Sequence, residues 1–145
     1  MPKVTKVVID TNWWISFVIK KYQNQLVQVL LDERIEIYCS TELENEVRET
    51  LQNPRLQKVL DLNTLQDFTN TFPEGLIMVN VVSKVNACRD WKDNFLLALS
   101  KDAKADYLIS GDKDLLDLGK FGKTKILTLT EFLGMMQQKR RQIFL

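Results

Sequence analysis

The segment VVIDTN, residues 7–12, constrains this chain more than any other: three aliphatic residues in a row, then an aspartate. Consecutive apolar residues in a strand point to both faces, so such a strand belongs inside a parallel sheet covered by helices on each side. An ionised carboxylate buried at its end costs several kcal/mol unless something neutralises it. Asp10 therefore either caps the following helix or belongs to a charged site at the edge of the sheet.

The rest of the chain repeats the alternation. VTKVVI (4–9), IEIYC (35–39), DYLIS (106–110) and KILTL (125–129) read as strands, and LIMVNVV (76–82) as a strand or an extended link. Between them, helical spacing runs from Thr11 through WWISFVIKK, then through QNQLVQVLLDER and STELENEVRETLQ. Asn53-Pro54 breaks that last helix, and 55–72 are helical in two pieces with a turn near Leu62-Asn63. Asp90 to Lys101 is a helix, Gly111 to Leu118 a loop with a short helical turn, and Thr130 to about Gln138 the closing helix. Parallel strands need long crossovers, and helices supply them here, so the class is α/β with helices on both faces. At 145 residues and 45% hydrophobic, the chain can bury a core without disulfides or structural metal. We read one domain over residues 1–138 and a basic tail, KRRQIFL, over 139–145.

The absence of histidine is chemically decisive. It removes Ser-His-Asp triads, Cys-His dyads, imidazole zinc sites and histidine acid/base catalysis, so carboxylates must carry any catalysis. Cys39 and Cys88 are too few and too distant for a thiolate metal site or disulfide framework, and read as free thiols of a cytoplasmic protein. The longest apolar run, FLLAL at 95–99, cannot span a bilayer. A net charge of +1 makes no global electrostatic case for nucleic acid.

The functional crevice of an open parallel sheet lies beyond the carboxyl ends of its strands, where the winding reverses. Asp10 follows the first strand, Asp112 and Asp114 follow DYLIS, the acidic helix STELENEV follows IEIYC, and Asp90 and Asp93 open the helix that leads to DYLIS. Each has a plainer role. Asp90 can be an N-cap, Asp112 and Asp114 turn formers after Gly111, and the glutamates a solvated face. Asp93 shares a helix face with Leu96, Leu97 and Ser100, which turns it inward. Glu44 and Glu46 both flank the apolar stripe, and spacing does not choose between them. Two carboxylates about 4 Å apart repel by roughly 4 kcal/mol at an effective dielectric near 20, so a cluster must hold protons or a cation. Oxygen ligands alone suit Mg²⁺ or Mn²⁺.

The ordered set VVIDTNWWISF, STELENEVRETLQNPRL, CRDWKDNFLLALSKDAKADYLISGDKDLL and KILTLTEFL resembles the PIN-domain family, in particular the bacterial toxin components of toxin/antitoxin pairs. The resemblance implies a three-layer α/β/α fold around a five-stranded parallel sheet, Mg²⁺- or Mn²⁺-dependent cleavage of single-stranded RNA, an antitoxin partner and a homodimer. Carried over position by position, the family's metal-binding acids fall on Asp10, Glu46, Asp93 and Asp112, with Asp114 a second contributor from GDKD. Asn12 corresponds to the polar helper beside the first acid, and Ser110 to the hydroxyl residue before the last. Two positions depart from the pattern: Trp13 stands where a small aliphatic is usual, and Trp91 replaces the proline after Arg89-Asp90.

Of Lys20, Lys21, Arg89, Lys92, Lys113, Lys120 and Lys123, we assign substrate contact to Lys92 and Lys113, which adjoin proposed acids. One alternative is a catalytically inactive PIN-like module that binds RNA or protein. Another is a phosphotransfer fold of the receiver or haloacid-dehalogenase type. The latter pattern needs a second aspartate where Asn12 stands, and a receiver needs an acceptor aspartate after a middle strand and a lysine near the fifth, an arrangement not found here.

Overall fold

Val7, Val8 and Ile9 are fully buried in the computed structural model, which describes residues 3–19 and 23–144, the side chains of residues 23 and 140–144 excepted. They belong to β1 (Thr5–Ile9), which lies inside the sheet with β2 (Ile35–Cys39) on one side and β4 (Tyr107–Ile109) on the other, both parallel to it. β3 (Ile77–Met78) pairs outside β2, and β6 (Thr124–Leu127) outside β4. These are the five parallel strands. A sixth, β5 (Lys120–Phe121), runs antiparallel on β6, giving the order β3-β2-β1-β4-β6-β5. The Gly122-Lys123 hairpin, with Gly122 at φ 57, makes this addition, and a two-residue strand leaves too little periodicity to be read from sequence.

The helices are α1 (Thr11–Val18), α2 (Gln23–Leu30), α3 (Thr41–Leu51), α4 (Pro54–Gln57), α5 (Leu62–Thr71), α6 (Asn94–Asp102), α7 (Lys113–Leu118) and α8 (Leu129–Phe144). They complete a three-layer α/β/α fold: α1 packs on α3 and α5 and α3 on α6, while α2 packs on both α1 and α8. Leu43, Val47 and Leu51 form the buried stripe of α3, whose cap Ser40 accepts from Leu43 N at 3.2 Å. Trp14 sits 3% exposed, donates its indole N–H to Ile9 O at 3.1 Å and meets Phe72 edge-on, which ties α1 to β1 and to the end of α5.

Several boundaries differ from the sequence reading. α5 starts at Leu62 because Asp61 caps it, accepting from Asn63 N at 3.1 Å, so the break precedes Leu62. The last helix does not end near Gln138 but runs to Phe144, through a stretch free of glycine and proline and rich in good helix formers, so the basic stretch 139–144 continues its backbone. Lys20 and Lys21, expected in the first helix, lie outside the described residues. Beyond Met78 the ladder gives way to side-chain anchors. Asp102 accepts from Val82 N at 2.7 Å and Ser83 N at 2.9 Å, and buried Asn94 accepts from Ala87 N at 3.1 Å and Cys88 N at 2.9 Å. These anchors lead the chain along α6 to the carboxyl edge of the sheet. Among the described residues no helix is long and apolar enough to cross a membrane.

Candidate functional site

The winding reverses between β1 and β4, whose carboxyl ends are adjacent: Asp10 N donates to Ile109 O at 2.9 Å. Each strand there releases one polar side chain inward. Asp10 is 5% exposed and Ser110 fully buried, and the Ser110 hydroxyl donates to Asp10 Oδ2 at 2.6 Å. Ser110 Oγ in turn accepts from Asp112 N at 3.0 Å, so one hydroxyl joins the ends of both strands. Asp112 then caps α7, accepting from Asp114 N at 2.8 Å, and so serves both as the turn former and as a member of the edge.

Asp93 arrives from another element. Asp90 takes the capping role, accepting from Lys92 N at 3.1 Å, and a 3-10 turn over Trp91–Asp93 precedes α6. The helix proper therefore begins at Asn94 and not at Asp90, because the Asp90 cap tightens the first turn. This turn carries Asp93 toward Asp112. Asp93 Oδ2 is buried and meets no hydrogen-bond donor among the described residues; the group beside it is the Asp112 carboxyl, so only a shared proton or a cation makes the contact favourable.

The electrostatics follow from this crowding. Burial first, then Asp112, then Asp10 and Asp90, push the Asp93 carboxyl up to about 7. Burial also raises Asp10, aided by Asp112, while the Ser110 hydroxyl and the backbone N–H groups of Asn12 and Thr11 oppose it. Glu46 on α3 is half-buried and raised by burial and then by Asp10, with the Thr11 hydroxyl opposing. Asp10, Asp93 and Asp112 thus lie within electrostatic reach of one another at this acidic edge, called the pouch below, and Glu46 within reach of Asp10. Glu44 points elsewhere, pairing with Arg48 at 3.2 Å.

Other expected members stand at the rim. Asn12, Lys92 and Lys113 are exposed. Asp114 is paired with Arg89 at 2.9 Å, and Arg89 also reaches Asp117 at 2.7 Å, a brace between the loop at 89 and α7. Sequence reasoning treated Arg89 only as a surface cation and missed the brace, which depends on a contact 28 residues away. Trp13 packs partly buried against the core. The two cysteines are free and buried.

The donor set, oxygen only and with an orphaned buried oxygen on Asp93, fits Mg²⁺ or Mn²⁺ in chemistry and charge. Among the described residues, however, no three acidic or thiol side chains stand close enough to hold a metal ion as they are placed.

A doubly covered α/β sheet with an acidic pouch at its switch point defines the class, and comparison with known proteins supplies the family. The PIN domain matches residues 6–114, and this chain belongs to the PIN-domain family. It is 32% identical over 116 residues to the uncharacterized protein MJ1680 of Methanocaldococcus jannaschii, covering 78% of this chain and 74% of that protein. Its fold is similar to that of the T. brucei RRP44 PIN domain, with a TM-score of 0.50 and 16% identity over 99% of this chain and 88% of that one.

Proposed function

We propose that the chain is a metal-dependent endoribonuclease that hydrolyses phosphodiesters of single-stranded RNA. The supporting observation is the crowding of carboxyls at this edge: Asp93 lies against Asp112 and within electrostatic reach of Asp10, and its buried Oδ2 meets no hydrogen-bond donor among the described residues. On this reading Asp10, Asp93 and Asp112 hold Mg²⁺ or Mn²⁺, and Glu46 lies beside them. Such an ion, when bound, lowers the pKa of a coordinated water and neutralises charge on the phosphate. Ser110 fixes the Asp10 carboxylate, and Asn12, Lys92 and Lys113 offer polar and cationic contacts to the RNA backbone. The finer form of the reading is a cytoplasmic, homodimeric toxin component restrained by an antitoxin protein. Purified protein incubated with single-stranded RNA and Mn²⁺ should cleave it, and cleavage that persists in EDTA or in Asp10→Asn overturns the proposal.

A second reading is a catalytically silent PIN module that binds RNA or a protein. The side chains as they stand match it better, because no three carboxylates are yet gathered to metal-binding distance among the described residues. The nuclease reading requires them to close on the ion. Calorimetric titration with Mn²⁺ separates the two: heat of binding supports the nuclease, and none selects the silent module.

A further inference from the structure

Of the three tryptophans, Trp14 and Trp13 pack inward, whereas Trp91 is 74% exposed. A bare indole on a mobile loop would say little. Trp91 instead sits on a turn held at four points. Asp90 accepts from Lys92 N at 3.1 Å, Asp93 N donates to Asp90 O at 3.0 Å, and the Asn94 amide donates to Trp91 O at 3.3 Å while holding Ala87 and Cys88 with its oxygen. The Arg89 brace to Asp114 and Asp117 fixes the approach to the turn. The indole therefore stays in solvent on fixed backbone, and little chain entropy is lost when something flat settles on it.

Its neighbours name that partner. Lys92, the next residue along the turn, is also exposed, and Asp93, two residues on, belongs to the acidic edge. Two residues span at most about 7 Å of chain, so the Trp91 backbone is close to that of Asp93 and an exposed indole there is within reach of a strand bound at the acidic edge. An aromatic face next to a cation is the pairing that single-stranded nucleic acid recognises: any unpaired base stacks on the ring, and the phosphate meets the ammonium.

We propose that Trp91 and Lys92 form a subsite for one unpaired RNA base and its phosphate at the entrance to the acidic pouch. The proposal rests on the reading that RNA is what the pouch acts on. It concerns binding rather than the chemical step, so it needs no metal. It also gives a use to the position where the sequence departs from the family pattern.

The test is fluorescence anisotropy of a labelled mixed-sequence single-stranded RNA in EDTA, with the full chain and with Trp91→Ala, Trp91→Phe and Lys92→Gln. RNA should quench the emission of the exposed indole. Trp91→Ala should bind about 5- to 150-fold more weakly, and Trp91→Phe should fall between it and the wild type. Lys92→Gln should lower the slope of log affinity against log salt by about one. Binding of duplex RNA should not respond to Trp91→Ala, since its bases are already stacked. Because the residue is exposed, thermal melting should show all variants folded. Equal affinity of Trp91→Ala and wild type for single strands overturns the subsite and leaves the nuclease reading standing. Failure of the wild type to bind single-stranded RNA overturns both. Loss of binding that tracks the breakup of a dimer in Trp91→Ala places the indole in a protein interface and overturns the subsite.

Discussion

Ser110 donates to Asp10 at 2.6 Å across 100 residues of sequence, and its oxygen accepts from Asp112 N at 3.0 Å. A fully buried hydroxyl thus locks the ends of β1 and β4 and fixes the first carboxylate of the pouch. Ser110→Ala leaves Asp10 without that donor and Asp112 N without an acceptor, and should cost about 1–3 kcal/mol of stability in urea unfolding. In a double-mutant cycle with Asp10→Asn, the coupling should be at least about 0.5 kcal/mol; additive effects would show that the two side chains do not depend on each other.

Glu44 and Glu46 should separate cleanly. Glu44 pairs with Arg48, whose guanidinium also donates to Thr69 O at 3.0 Å and to Phe72 O, so it helps hold α3 to the end of α5. Glu44→Gln should lower stability by up to about 1 kcal/mol, as partly exposed pairs do, and leave Mn²⁺ binding untouched. Glu46→Gln should weaken Mn²⁺ binding in calorimetry with little change in melting temperature. The reverse pattern would remove Glu46 from the site.

The Asp93 carboxyl, held at about 7 against an ordinary value of 3.8, takes up a proton in the folded protein before it does in the unfolded chain. Its contribution to stability is therefore full below the ordinary value and is lost as pH rises through about 7. Asp10 and Glu46, also raised, act in the same sense. Asp102 is lowered by Ser83 and Val82 and acts oppositely, but its window lies below 3.8 and does not overlap. Metal-free protein should lose stability as pH rises from about 4 to about 7 and level off above that. Asp93→Asn, which removes the repulsion, should flatten that slope and unfold at higher urea than wild type at the alkaline end. A wild-type curve that rises across this range would show that the carboxyls are not crowded.

Much of this arrangement is readable from local chemistry, and the unread part has a common cause. The VVI run requires burial on both faces, and the carboxylate that follows it must then sit at the sheet edge; Asp93 precedes the buried Leu96 and Leu97 by three and four residues, though a 3-10 turn and not the helix itself carries it. What escaped depends on partners far along the chain. Asn94 and Asp102 look like ordinary helix residues, yet they pin residues 82–88 by side-chain bonds spanning 6 to 20 positions. Glu44 and Glu46 flank the same stripe, and only the placement of Arg48 and Asp10 tells them apart. The short β5 is specified by Gly122 and its neighbours rather than by any pattern long enough to read. α8 outruns its expected end because its apolar stripe fades while its backbone preference does not.

Cation binding should report on the pouch as a whole. A divalent ion at Asp10, Asp93 and Asp112 must displace the proton that Asp93 holds up to about 7, so binding releases protons and strengthens as pH rises. Mn²⁺ at 100 times its dissociation constant should stabilise the fold by about 2.7 kcal/mol. For a chain of this size that is roughly 5–10 °C in melting temperature. The shift should shrink on the acid side of 7 and vanish in EDTA, and Asp93→Asn should reduce it at every pH. Matching calorimetric titrations in two buffers of different ionisation enthalpy would reveal the released proton directly. A melting temperature indifferent to Mn²⁺ well above pH 7 means that the carboxyls do not close around an ion, and the silent RNA- or protein-binding module becomes the reading of this pouch.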